Sequence, residues 1–247
     1  MFKHMSKQRF WEIDFWRGLA LIMMLIFHFL VDMEMVSGTN LRLDVGFWSY
    51  FQKATAFLFL AIVGLSLKIA YNGGQLTFRR ALRRGLSIFA WGCLITLVTK
   101  IALTEGAIVF GVLHLIGIGT ILAFPLLKYK HIHLWLGLAV TVIGYCLDRM
   151  SFPFGYLFWL GFVPRGFYSL DYFPLFPWFG LILLGVYFAD LLYPQNRRRF
   201  PVKDRPSSGP VRWICTLGRH TLPIYLIHQP LFLLLIYLAL HGQALFR

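Results

Sequence analysis

Long apolar runs alternate with short polar breaks along most of this chain. Sustained apolar stretches fall at residues 14–31, 49–70, 85–104, 108–127, 131–147, 173–192 and 222–240. Each is close to the roughly 20 residues that a helix needs to cross a hydrocarbon layer of about 30 Å. The pattern therefore predicts an all-α polytopic membrane bundle of about seven transmembrane helices, forming a single transmembrane domain over 1–247. Residues 152–163 (FPFGYLFWLGFV) are shorter, rich in aromatics and bracketed by Pro153 and Pro164. A re-entrant or interfacial piece is predicted there, because aromatic side chains favour the headgroup level and a crossing needs more residues.

Composition strengthens this picture. Hydrophobic residues make up 58% of the chain and charged residues 14%, against roughly 25% charged in a soluble domain. A formal charge of +14 does not point to nucleic acid, since the Lys and Arg residues lie between apolar runs. They are a topology signal. With the N-terminus inside, Lys3, Lys7, Arg9, Lys68, the four arginines between Arg79 and Arg84, Lys128, Lys130 and a large cluster from Arg197 to Arg219 become cytoplasmic, leaving Arg42, Arg149, Arg165 and Arg247 outside. An eighth crossing at 152–163 would put Arg197 to Arg199 outside, so seven spans with the C-terminus outside are expected, in a plasma (inner) membrane. The stretch 193–212 reads as a cytoplasmic loop. Cys93, Cys146 and Cys215 have neither CxxC spacing nor a histidine cluster, so packing is expected of them and no metal site.

Ionisable groups inside a bilayer cost a few kcal/mol each on insertion scales, which makes those retained there functional candidates. Arg17 and His28 are 11 positions apart, about three turns plus 20° on a helix, so they share a face. Asp14 and Asp32 extend the stripe to both ends of the helix. A carboxylate at the i+4 position can orient the His28 imidazole, and histidine is suited to act as a general base near neutral pH. His114, in FGVLHLIGIG, is expected at the depth of His28. His228, in LPIYLIHQP, is expected nearer the inner face, apart from that pair. Arg80, Arg83 and Arg84 of the RRALRR segment can bind phosphate oxygens through planar guanidinium groups, or anchor the helix on anionic lipid. Arg219 could join them at the inner rim. The same polar stripe would also serve a proton-coupled or anion transporter or channel.

The ordered blocks IDFWRGLALIMMLIFHF (13–29), FLFLAIVGLSL (57–67), RRALRRG (79–85), FGVLHLIGIG (110–119), DYFPLFPWFGLILLG (171–185) and LGRHTLPIYLIHQP (217–230) resemble the catalytic-domain family of heparan-alpha-glucosaminide N-acetyltransferase and its prokaryotic relatives. The Arg17-x10-His28 spacing also resembles the first helix of the membrane acyltransferase-three family, and Arg80 and Arg83 match that family's basic Arg-x-x-Arg pattern. The resemblance implies transfer of an acetyl group from cytosolic acetyl-CoA to a sugar or amino sugar across the membrane. On that reading His28, Asp32 and His114 are catalytic; Arg17, Arg80, Arg83, Arg84, Arg219 and His228 hold the CoA; and Asp171 meets the acceptor. The partners implied are acyl-CoA, a carbohydrate acceptor and the bilayer, with no nucleic acid. A homo-oligomer is compatible with the sequence.

Overall fold

The computed structural model describes residues 9–204, 206 and 208–245, with 240–245 as backbone alone. Lys3, Lys7, Arg205 and Arg247, used above for topology, lie outside the described residues. Among the described residues there are eight α-helices and no strand: α1 (Trp11–Ser37), α2 (Gly46–Asn72), α3 (Phe78–Ala102), α4 (Val112–Ala123), α5 (Ile132–Leu147), α6 (Leu175–Leu192), α7 (Gly209–Arg219) and α8 (Thr221–Leu245). They fall into two compact units. One comprises Leu60–Val202 and the other Arg9–Phe59 together with the chain from Lys203 onward; α2 contributes to both.

Among the described residues, five helices are long and apolar enough to cross a membrane: α1, α2, α3, α6 and Thr221–Ala239 of α8. The protein is an integral membrane protein. The other two expected spans are shorter helices. The 12 residues of α4 rise about 18 Å and the 16 residues of α5 about 24 Å, both less than the roughly 30 Å of hydrocarbon. Pro125 stands in the 3-10 turn Phe124–Leu126 that follows α4; it cannot donate a helical hydrogen bond, and it disfavours α geometry at the residue before it. Within 152–163 the backbone is irregular apart from one 3-10 turn, Phe158–Leu160. The loop expected at 193–212 is also interrupted, because α7 begins inside it. The Ser208 hydroxyl accepts from the Val211 N–H and Pro210 occupies the first turn, a conventional helix start.

In the Leu60–Val202 unit, small residues let helices approach at backbone distance, as expected where lipid gives helices little hydrophobic reason to associate. A Cβ on Gly64 would run into the Ile182 carbonyl, and one on Gly185 into that of Ala61, which seats α2 against α6. Gly85 and Gly117 meet in the same way between α3 and α4. Lys68, counted above as a topology residue, is buried here. Its Nζ donates to the Leu127 carbonyl at 2.6 Å and pairs with Asp190 at 3.1 Å, which compensates its desolvation and ties the end of α2 to α6 and to the turn after α4.

Candidate functional site

The α1 stripe forms as the spacing predicts, and α7 and α8 complete it. At its lower end Asp14, 3% exposed, receives three guanidiniums: Arg9 Nε at 2.7 Å, Arg17 Nη1 at 3.2 Å and Arg219 Nε at 3.4 Å. Asp14 in turn holds Arg9 above its ordinary arginine value through that hydrogen bond. This hub exists because α7 lies directly on α1. A Cβ on Gly218 would overlap the Asp14 carbonyl, and one on Gly18 the Ile214 carbonyl. Burial of Cys215 in the same contact raises its thiol pKa, and Sγ points at the Trp11 carbonyl at 3.4 Å. Arg17 and Arg219, both expected on the CoA side, therefore share one carboxylate. Arg219 keeps 43% of its side chain exposed and Arg9 keeps 60%, so each still presents donors outward.

Higher on α1, His28 Nδ1 lies 2.7 Å from Nε2 of His228. The expectation that depth separates these two histidines is corrected by this contact. It arises because α7 occupies the inner end of this segment and ends with Gly218 against Asp14 and Gly18, so α8, which begins at Thr221, carries His228 about two turns beyond its own start. The proton arrangement follows from the partners. His228 Nδ1 is 2.6 Å from the Tyr225 carbonyl, which can only accept, so Nδ1 carries the proton and the neutral ring offers a lone pair at Nε2. His28 must then donate from Nδ1, which leaves the lone pair on its Nε2. His228 is buried and His28 only partly exposed, and the lone pair left over in the pair sits on the His28 ring.

Asp32, expected to orient His28, is fully buried and accepts from Gln229 Nε2 at 2.5 Å. Its other oxygen has no hydrogen-bond partner among the described residues. The imidazole nitrogen that an orienting carboxylate would have taken is held by His228. Sequence reasoning missed this relay, along with Arg9 and Gln229 as members of the site; the adjacency of Tyr225, His228 and Gln229 just before Pro230 was the available signal.

His114 lies in the other unit, near the start of α4. Its Nδ1 accepts from the Gly111 N–H at 3.2 Å, as the third-position acid of a capping box would. In the neutral ring the proton is consequently on Nε2, which faces the Thr96 hydroxyl at 3.5 Å. Phe110 stacks on the ring and Phe89 meets it edge-on. Asp171, expected on the acceptor, instead caps this helix. Its carboxylate accepts from Val112 N at 3.1 Å, a favourable place for an anion. Tyr172 beside it donates to the Phe158 carbonyl at 2.6 Å, and burial raises its phenol pKa.

The arginines of the RRALRR segment stand in the first two turns of α3, all exposed. Arg80 Nη1 also donates to the Gln75 carbonyl at 2.8 Å. Comparison with curated proteins and with solved structures finds no match. A family model described as heparan-alpha-glucosaminide N-acetyltransferase, catalytic, matches residues 9–230. That range takes in the α1 stripe, the arginines of α3, His114 and the α7–α8 segment through Pro230, and the chain accordingly belongs to this acetyltransferase family.

Proposed function

We propose that the protein moves an acetyl group from cytosolic acetyl-CoA to an extracytoplasmic sugar or amino sugar. The observation that carries this reading is the relay from the Tyr225 carbonyl through His228 to His28, because it leaves a lone pair on the His28 ring of a family acetyltransferase. The acceptor nitrogen or oxygen attacks the thioester carbonyl and its proton passes to His28 Nε2. As the tetrahedral adduct collapses, the C–S bond breaks and the proton returns to the departing CoA sulfur. The His28 imidazolium formed between these steps is stabilised by its Nδ1–H donating to His228, a bond that strengthens when the donor becomes charged. His228 thus acts as a positioning residue rather than a CoA ligand.

Asp32 supports the relay through Gln229, and Asp171 positions the His114 helix. His114, protonated on Nε2, is suited to donate a hydrogen bond on the acceptor side. The CoA phosphates are assigned to Arg80, Arg83 and Arg84; Arg17 and Arg219, in the other unit, are separate candidates for the same chemistry. The chain is read as one transmembrane domain of seven spans, with the N-terminus cytoplasmic and 152–163 at the outer interface. This orientation brings donor arginines and acceptor to opposite faces.

The test uses purified protein, labelled acetyl-CoA and a panel of sugars and amino sugars. CoA should raise the thermal midpoint through binding to the folded state, and label should appear on an acceptor with wild type and not with His28→Ala. Absence of any CoA-dependent stabilisation would overturn the reading and favour the transporter. Label retained on wild-type protein without acceptor, and lost in His28→Ala, would mark His28 as a transient acetyl carrier.

A further inference from the structure

The Leu60–Val202 unit contains a cavity of about 430 Å³ beside His114, a size common for small-molecule sites. Its walls are apolar, with Phe89 and Ile118 from α3 and α4, Phe110 from the segment before α4, and Trp159 from the aromatic segment. Polar groups converge on it from one direction only: Thr96, His114 and Lys100. None of the residues lining it is acidic. His114 is 4% exposed, and its Nε2–H has only the Thr96 hydroxyl at 3.5 Å, the outer limit of a hydrogen bond. A buried donor with so weak a partner is aimed at space an acceptor oxygen could fill.

Lys100 stands in the last turn of α3, at the opposite end from the RRALRR arginines, where a membrane-spanning helix meets headgroups. The α3 surface beside it is apolar and open at Leu97, three positions before Lys100 and 57% exposed. A cavity with hydrocarbon walls, entered from an apolar surface and ending in a cation and an N–H donor, is complementary to a lipid with an anionic head.

We propose that this cavity seats the hydrocarbon chain of a phospholipid with a net anionic head, with the phosphate at Lys100 and within the polar end formed by Thr96 and His114. The cation, the hydroxyl and the imidazole N–H all match phosphate oxygens, and the aromatic walls match the chain. The site shares the His114 N–H with the acceptor side proposed above and so deepens that reading; its test reads lipid occupancy without turnover, which keeps the failure of one distinguishable from the failure of the other.

The experiment reconstitutes the full chain in phosphatidylcholine nanodiscs containing either phosphatidylglycerol or phosphatidylcholine with a photoreactive group in the acyl chain. Crosslinked residues are then mapped by mass spectrometry. Phosphatidylglycerol should label Phe89, Cys93 or Ile118 at least several-fold more than phosphatidylcholine does, and Lys100→Gln should remove that preference. Filling the cavity by Ile118→Trp should abolish labelling there while crosslinks on other lipid-facing helices persist. Lys100 is exposed, so its variant should fold even if the filled one does not. Equal labelling of the cavity by both lipids, a preference unchanged in Lys100→Gln, or labelling confined to other surfaces would overturn the proposal.

Discussion

His228 offers the sharpest test of the relay, because the proposed mechanism gives it a role that acts entirely through His28. Replacing it with Leu removes the acceptor 2.7 Å from His28 Nδ1 while keeping an apolar side chain among Tyr225 and Phe232, whose rings flank it. A neutral hydrogen bond contributes about 0.5–1.5 kcal/mol net, and one with a charged partner about 1.5–3. The difference, about 1–2 kcal/mol, is what the relay adds as His28 becomes an imidazolium, so kcat should fall roughly 5- to 30-fold. His28→Ala should cost far more, on the order of 10² to 10⁴. The binding of CoA, measured by thermal shift or by KM, should change little in His228→Leu. In His228→Gln an amide oxygen can accept from His28 again, and part of the rate should return. The double variant His28→Ala, His228→Leu should be no slower than His28→Ala alone, since the two act as a unit. Unchanged kcat in His228→Leu, or a loss confined to KM, would refute the relay and return His228 to the CoA side.

Other consequences can be checked alongside. Asp32→Asn should reduce kcat less than His28→Ala, because Asp32 reaches the relay only through Gln229; equal loss would make Asp32 a direct participant. Replacing Arg80 and Arg83 with Ala should weaken CoA binding and flatten its salt dependence, and a folded double variant with unaltered affinity would exclude the phosphate assignment. Single cysteines at Ser37 and Ser169 should react with an impermeant reagent from outside and one at Lys203 from inside; reactivity of Ser37 and Ser169 from opposite sides would show that the seven-span count is wrong. Gly218→Ala should destabilise the protein by overpacking, typically 1–3 kcal/mol, because the added methyl meets the Asp14 carbonyl. An unshifted thermal midpoint would argue against the close α1–α7 contact.

The parts of this site that could be read in the sequence are those fixed within one helix. Arg17 and His28 share a face by helical rotation alone, and the arginines of α3 are adjacent in sequence, so both sets were legible before any tertiary contact was known. What was not legible depends on partners about 200 positions away. Asp14 was assigned to the stripe, but nothing local says that Arg219 will share it, or that the Gly218 carbonyl will face Arg17. The missing link was α7. At 11 residues and with polar residues through its length, it lacks the apolar run by which the spans were found, and only its Ser208 and Pro210 start announces it. Once that helix is placed, the level at which α8 begins is set, and His228 reaches His28. The two aspartates show the same dependence on partners. Asp32 was chosen for its place four residues after His28, and Asp171 from the family resemblance. Their side chains are instead satisfied by an amide and by a helix N-terminus, which meet the cost of burial and, in doing so, hold a histidine or its helix in place. In a bilayer-embedded protein a polar residue needs a partner before it can have a function. The chemistry proposed above therefore uses atoms beyond those that hold each ring in place: the second nitrogen of His28, whose Nδ1 is held by His228, and the Nε2–H of His114, whose Nδ1 is held by Gly111.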